Sequence, residues 1–145
     1  MSSNAVRFCV PGIQGKARPR MVVSGSGAHV FTPRKTKEYE RRVAICYRLA
    51  GGTMHLKPVA LKIAIGVFAP LPKSAPKRVA ADQFLAKPDI DNIAKAVMDG
   101  LNGVAYEDDV QVVQLLATKY PRTRAIHESV VEVVVEEEAL DEQGR

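Results

Sequence analysis

The amino-acid sequence predicts an α+β fold: a single domain in which a mixed β-sheet of about four to five strands packs with two principal helices. Three observations carry that expectation. Apolar residues alternate with period two in two stretches, Val59 to Val67 and Val131 to Val135. Two others, Pro33 to Ala50 and Asp91 to Leu101, repeat their apolar residues at helical spacing. The chain has 145 residues, enough for one sizeable core and cramped for two domains.

In chain order, residues 5 to 10 (AVRFCV) read as a short first strand stopped by Pro11-Gly12. A loop, GIQGKARPR, follows. In MVVSGSGAHVFT, β-branched residues flank Ser24-Gly25-Ser26-Gly27, which predicts a hairpin with a flexible tip. Tyr39, Val43, Cys46, Tyr47 and Ala50 mark the buried stripe of the first helix, and Gly51-Gly52 ends it. Its other face carries Arg34, Lys35, Lys37, Arg41, Arg42 and Arg48, a set suited to phosphates and equally to plain solvation. Val59, Leu61, Ile63, Ile65 and Val67 share one face of a strand over 58 to 69. The Pro-rich, basic stretch from Pro70 to Pro88 is expected to be a long mobile loop. A second helix starts near Asp91, buries Ile93, Val97, Met98 and Leu101, and stops before Asn102-Gly103. Strands are expected at 109 to 120 and 127 to 137, with a frayed acidic tail over about 137–145.

Composition narrows the function classes. With 46% apolar and 26% charged residues, global disorder and collagen-like repeats are excluded. Cys9 and Cys46 stand alone, which argues against a disulfide framework or a cysteine-rich zinc site; both fall in apolar patterns and are expected to be packed. The longest apolar run, Val59 to Leu71, contains Lys62 and falls short of the ~18 to 20 residues of a membrane span. The N-terminus lacks the pattern of a signal peptide, so a soluble, cytoplasmic protein is expected. Charge is divided: residues 1 to 88 hold 16 Lys and Arg against 3 acids, and the remainder 5 against 13. Such a basic portion suits a polyanion, because neutralising phosphates releases counterions. Six of the acids fall between Asp89 and Asp109.

Those acids form two groups. Asp89-Ile90-Asp91-Asn92 opens the second helix, with Lys95 and Asp99 following Asp91 on the same face. Glu107-Asp108-Asp109 precedes a strand. For Asp91 alone, capping of free N–H groups is the simpler explanation. If the helix returns against the strand, the two groups meet at one end of the sheet. Several carboxylates there would repel one another without a cation, and hard oxygen ligands select Mg²⁺ or Mn²⁺. An acidic pocket beside basic loops suits metal-assisted phosphodiester hydrolysis. His29, His55 and His127 are isolated, and no Walker A, G-x-S-x-G, H-E-x-x-H or EF-hand pattern competes.

The segment KPDIDNIAKAVMDGLNGVAYEDDVQVVQLLATK resembles the signature of the RusA family of Holliday junction resolvases, particularly phage and prophage forms. It combines Asp89-x-Asp91-Asn92, Lys95, the turn Asp99-x-Leu101-Asn102-Gly103-Val104 and Asp108-Asp109-x-Gln111. Lys16-Ala17-Arg18-Pro19-Arg20 and Thr32-Pro33 leading to Tyr39 extend the likeness, which runs from about Val10 to Lys119. The resemblance implies a RusA-like homodimer that uses Mg²⁺, with Mn²⁺ as a substitute, to nick opposing strands of a four-way DNA junction symmetrically in recombination and repair. By position it makes Asp89, Asp91, Asp109 and Lys95 catalytic, the three aspartates metal ligands, and Asp108 and Asp99 lesser candidates. Arg18, Arg20, Lys73, Lys77, Arg78 and Lys87 are the expected phosphate contacts, giving affinity while dimer geometry reads branched shape. The same carboxylates would serve a nuclease for other branched or flap DNA. A non-catalytic DNA-binding module is the rival from another class, and it would gain nothing from acids set against phosphate.

Overall fold

The structure, a computed structural model, describes residues 5–16, 20–25, 27–31 and 33–140. The strands are β1 (Val6–Pro11), β2 (Arg20–Ser24), β3 (Gly27–Phe31), β4 (Ala60–Phe68), β5 (Ala81–Asp82), β6 (Val112–Lys119), β7 (Arg122–Thr123) and β8 (Val130–Glu138). The helices are α1 (Arg34–Leu49) and α2 (Ile90–Leu101), and a 3-10 turn occupies Asp109–Gln111. β1, β8, β4 and β6 form a mixed sheet in that order, in which only β4 and β6 run parallel. β2 pairs with β3 as the expected hairpin. The α+β expectation holds.

Register explains the core. Phe8 and Val10 face Val133 and Val131, which in turn face Ile65 and Val67, so one row of apolar side chains crosses three strands. All six are buried, and α1 and α2 close over that face with Tyr39, Val43, Tyr47, Ile93, Val97 and Leu101. Fully burying such a side chain contributes roughly 1.5–3 kcal/mol, which fixes the face each strand presents. The helices cross where Gly100 lies against Val43: a Cβ there would sit 2.7 Å from the Val43 Cβ and 2.9 Å from the Glu40 carbonyl oxygen. Beyond the helix, Gly103 adopts φ +87°, the left-handed geometry that ends helices and that glycine adopts without strain. Alternation places Cys9 outward and exposed between Phe8 and Val10, contrary to a packed cysteine, and Cys46 is half-buried. Ala50 is exposed just past the end of α1 rather than part of its stripe.

The stretch from Pro70 to Pro88 is not the free loop its composition suggests. β5 pairs with β7, and Arg122 grips Asp82 through two hydrogen bonds of 2.8 and 2.7 Å. Arg124 donates to the carbonyls of Val79 and Pro76, and Leu71 N–H donates to Thr123. Lys119 donates to the carbonyls of Ala86 and Pro88 while its ammonium lies 4.2 Å from the Phe84 ring centre. The stretch is therefore a strap, bound by three cations from the far side of α2. The 109 to 120 segment also differs from expectation, because its first three residues form the 3-10 turn and the strand begins at Val112. β8 runs to Glu138, so the strand extends into the segment expected to fray. No helix among the described residues is long and apolar enough to cross a membrane.

The Arg122 guanidinium holds the Asp82 carboxyl below its ordinary value. The stabilisation this carries is complete at neutral pH and is lost as pH falls through the lowered pKa. Arg122→Ala should therefore raise proteolytic cutting within residues 70–88 several-fold while the amides of β4 and β8 keep their exchange protection. Acidification of the unaltered protein should loosen the same segment first.

Candidate active site

Asp89 occupies the N-cap of α2 and Asp91 lies in its first turn, where unpaired backbone N–H groups and the helix dipole favour negative charge. Asp89 makes no side-chain capping bond. Neither carboxylate enters a hydrogen bond or ion pair among the described residues, and both are exposed. Their oxygens face outward rather than serving the helix end. Asp89 lines a cleft of about 370 Å³ with Gln14, Gly15, Lys16, Lys87, Pro88 and Asn92. Lys16 N–H donates to the Asn92 carbonyl at 2.9 Å, which ties the loop after β1 to the start of α2.

Lys16 also organises the charges behind the cleft. Its ammonium is 2.7 Å from Glu40 on α1 and 3.1 Å from Asp99 on α2, while Lys95 reaches Asp99 from the other side at 3.2 Å. Burial pulls the Lys16 pKa down, but its bonds and charge interactions with Glu40 and Asp99 outweigh that and hold it above the ordinary lysine value. Lys16 therefore stays charged, and Asp99 is shared between two lysines. That sharing accounts for Asp99 as an ion-pair partner.

The second acidic group is held separately. Asp108 caps the 3-10 turn by accepting from Val110 N–H at 3.1 Å, and this bond, with Asp109 and Lys57 beside it, keeps its carboxyl below the ordinary range. Glu107 accepts from the backbone N–H of Lys57 at 2.6 Å. Gln111, buried behind the turn, accepts from Glu107 N–H and Asp108 N–H and donates to the carbonyls of His55 and Val59. His55 is itself buried with Nδ1 at 2.9 Å from the Ala105 carbonyl oxygen, a packed side chain as its isolation in the sequence suggested.

The two acidic groups do not meet within one chain. Asp89 and Asp91 stand at the N-terminal end of α2, and Asp109 follows its C-terminal end after a short loop; the helix itself, twelve residues, spans roughly 18 Å along its axis. Asp109 neighbours Tyr106, whose hydroxyl bonds the Met98 carbonyl. Burial chiefly, then the charges of Asp109 and Asp99, push the Tyr106 pKa upward. Among the described residues no three His, Cys, Asp or Glu side chains are gathered so as to hold a metal ion.

Of the expected phosphate contacts, Lys87 lies on the cleft, and Lys73, Lys77 and Arg78 are exposed on the strap. Arg20 is the first residue of β2, and Arg18 lies outside the described residues. Lys16, Gln111, Lys119 and Arg122 are structural participants that the sequence did not single out individually. Gln111 carried a readable signal, since Asp108-x-x-Gln111 has the spacing of a capping box.

Compared with protein families, residues 11–135 match the family described as Endodeoxyribonuclease RusA. The chain belongs to the RusA endodeoxyribonuclease family. That match spans most of the chain, including the cleft, both acidic groups, the strap and most of β8. The chain is also similar to YqaN of Bacillus subtilis (strain 168), a protein described as uncharacterized, with 32% identity over 127 residues, covering 81% of this chain and 88% of that protein. RusA membership assigns nuclease activity of the Holliday junction resolvase type, directed at branched DNA.

The narrowness of the cleft wall gives a test. A Cβ on Gly15 would sit 2.7 Å from the Pro88 Cβ, so the loop and the strap must separate to admit it. Gly15→Ala should lower stability by about 1–3 kcal/mol, measured by urea unfolding, as overpacking does. Unchanged stability would mean that this contact is easily relieved.

Proposed function

We propose that this RusA-family protein is a Mg²⁺-dependent homodimer, with Mn²⁺ as a substitute, that cuts four-way DNA junctions by paired symmetric nicks in recombination and repair, working in the cytoplasm. The observation that supports it most is the pair of exposed, uncommitted carboxylates at the start of α2, Asp89 on the cleft with Lys16 and Lys87 and Asp91 in the first turn of the helix. Acids at the mouth of a basic cleft would weaken DNA binding unless a cation joined them to phosphate. A bound divalent ion would supply charge stabilisation to the phosphoryl oxygens and lower the pKa of a water. Hard carboxylate oxygens suit Mg²⁺. Lys95, one turn beyond Asp91 and braced by Asp99, would neutralise phosphate charge near that point. Lys87 and the pinned Lys73, Lys77 and Arg78, with Arg18 and Arg20, would hold the backbone without reading bases.

The third carboxylate needs a second copy of the chain. β6 is an edge strand, with Val113 61% and Leu116 60% exposed and no charged side chain from Val110 to Thr118. An edge whose length from Val112 to Thr118 carries neither charge nor proline invites pairing. Antiparallel pairing of two β6 edges about a two-fold axis sets the start of each strand opposite the end of the other. The end of β6 carries Lys119, which holds the Pro88 carbonyl next to Asp89. Asp109 of the partner subunit would thus join Asp89 and Asp91, and two such sites would face two strands.

Asp91→Asn should slow junction cleavage by about 10²–10³-fold, the several kcal/mol expected of metal-derived stabilisation, while metal-free junction binding persists or tightens. Loss of folding instead would assign Asp91 to the helix. Chains carrying Asp91→Asn and chains carrying Asp109→Asn, each inactive alone, should recover single-strand nicking when mixed. No recovery in demonstrated mixed dimers would contradict a site shared between subunits.

A further inference from the structure

Gln111 has no assigned part in the chemistry, yet its side chain is the most fully engaged polar group near the acids. It is 5% exposed. Its Oε1 accepts from Glu107 N–H at 2.8 Å and from Asp108 N–H at 3.1 Å, and its Nε2 donates to the carbonyls of His55 and Val59 at 3.0 Å each. A carboxamide has two acceptor sites and two donors, so its capacity is filled. The two acceptor bonds seize the backbone immediately before Asp109, and the two donor bonds fasten it to the segment that leads into β4. Asp108 completes the device from the other side, capping the turn through Val110 N–H.

We propose that Gln111 is the positioning residue for the Asp108–Asp109 pair, setting where these carboxylates stand relative to a divalent cation without touching it. The assignment rests on the reading above, in which Asp109 is a metal ligand. The geometry favours positioning over general packing, because all four bonds join loop backbone to the entry of a central strand. No apolar side chain could replace them, and removing them leaves two N–H groups and two carbonyls to find new partners in a buried place. Asp109 itself is exposed, so the turn's own side chains supply little packing to fix it. A metal ligand displaced by even a fraction of an ångström loses coordination geometry, and partners behind ligands commonly change metal affinity 10- to 100-fold.

The test is Mn²⁺ binding to the folded protein, read by electron paramagnetic resonance, alongside amide exchange and junction binding in chelator. Gln111→Met, which keeps the volume and deletes all four bonds, should weaken Mn²⁺ about tenfold or more and speed exchange at residues 107–111. β4 and β8 should stay protected, and junction affinity in chelator should stay within about twofold. Gln111→Asn, which keeps the amide one methylene short, should weaken Mn²⁺ less and serves if the methionine variant does not fold. Wild-type Mn²⁺ affinity in either folded variant would overturn the positioning role. Equal Mn²⁺ binding by the unaltered protein and Asp109→Ala would instead overturn the assignment of Asp109 as a ligand, and the proposal with it.

Discussion

The parallel pairing of β4 with β6 decides where everything chemical lies. A chain that leaves β4 and re-enters the sheet parallel to it must first return to the starting end, and here the strap and α2 make that crossing. α2 therefore runs back alongside β6. Its N-terminus, with Asp89 and Asp91, comes to the end of β6 where Lys119 binds the strap, and its C-terminus delivers the loop bearing Asp108 and Asp109 to the start of β6. One topological requirement thus separates the acids within a chain and, in an antiparallel pair of chains, would bring them together.

The charged groups then divide between those that build and those that are left available. Lys16, Glu40 and Asp99 bind the loop after β1 to both helices, and Lys119, Arg122 and Arg124 bind the strap. The Lys16 pairs and the Arg122–Asp82 bonds are partly buried and so shielded from solvent more than ordinary surface pairs, whose net worth is small. Asp89 and Asp91 lie among them, uncommitted within the described residues. A helix N-terminus lowers the cost of keeping two carboxylates in that condition close together. In the proposed reading these acids serve the nuclease chemistry of the RusA family, since a nuclease needs acids where a binding protein would avoid them.

Much of the fold was legible because its signals are local. Val131, Val133 and Val135, and Leu61 to Val67, declare their face by alternation alone, and the α2 stripe is equally plain. The same alternation between Phe8 and Val10 would have turned Cys9 outward had it been followed strictly. The strap is the long basic loop its composition predicts, but its anchoring is not legible there, because the groups that hold it lie 30 or more residues downstream and composition reports only proline and lysine. The 3-10 turn was misread as strand because valines follow it directly, although Asp108-x-x-Gln111 carries a capping pattern. The candidate site residues are named from motif and position, but their separation could not be read there, since it depends on strand direction, which no local pattern encodes. Arg18, and the side chain of Arg20, lie outside what the structure describes.

Cleavage of a synthetic mobile four-way junction, beside linear duplex, flap and Y-shaped DNA, tests the central claim most directly, with Mg²⁺ in one series and chelator in the other. The account predicts paired nicks placed symmetrically on opposing strands of the junction, present with Mg²⁺ and absent with chelator. Cutting confined to flaps or forks, or nicking that persists in chelator, would contradict it.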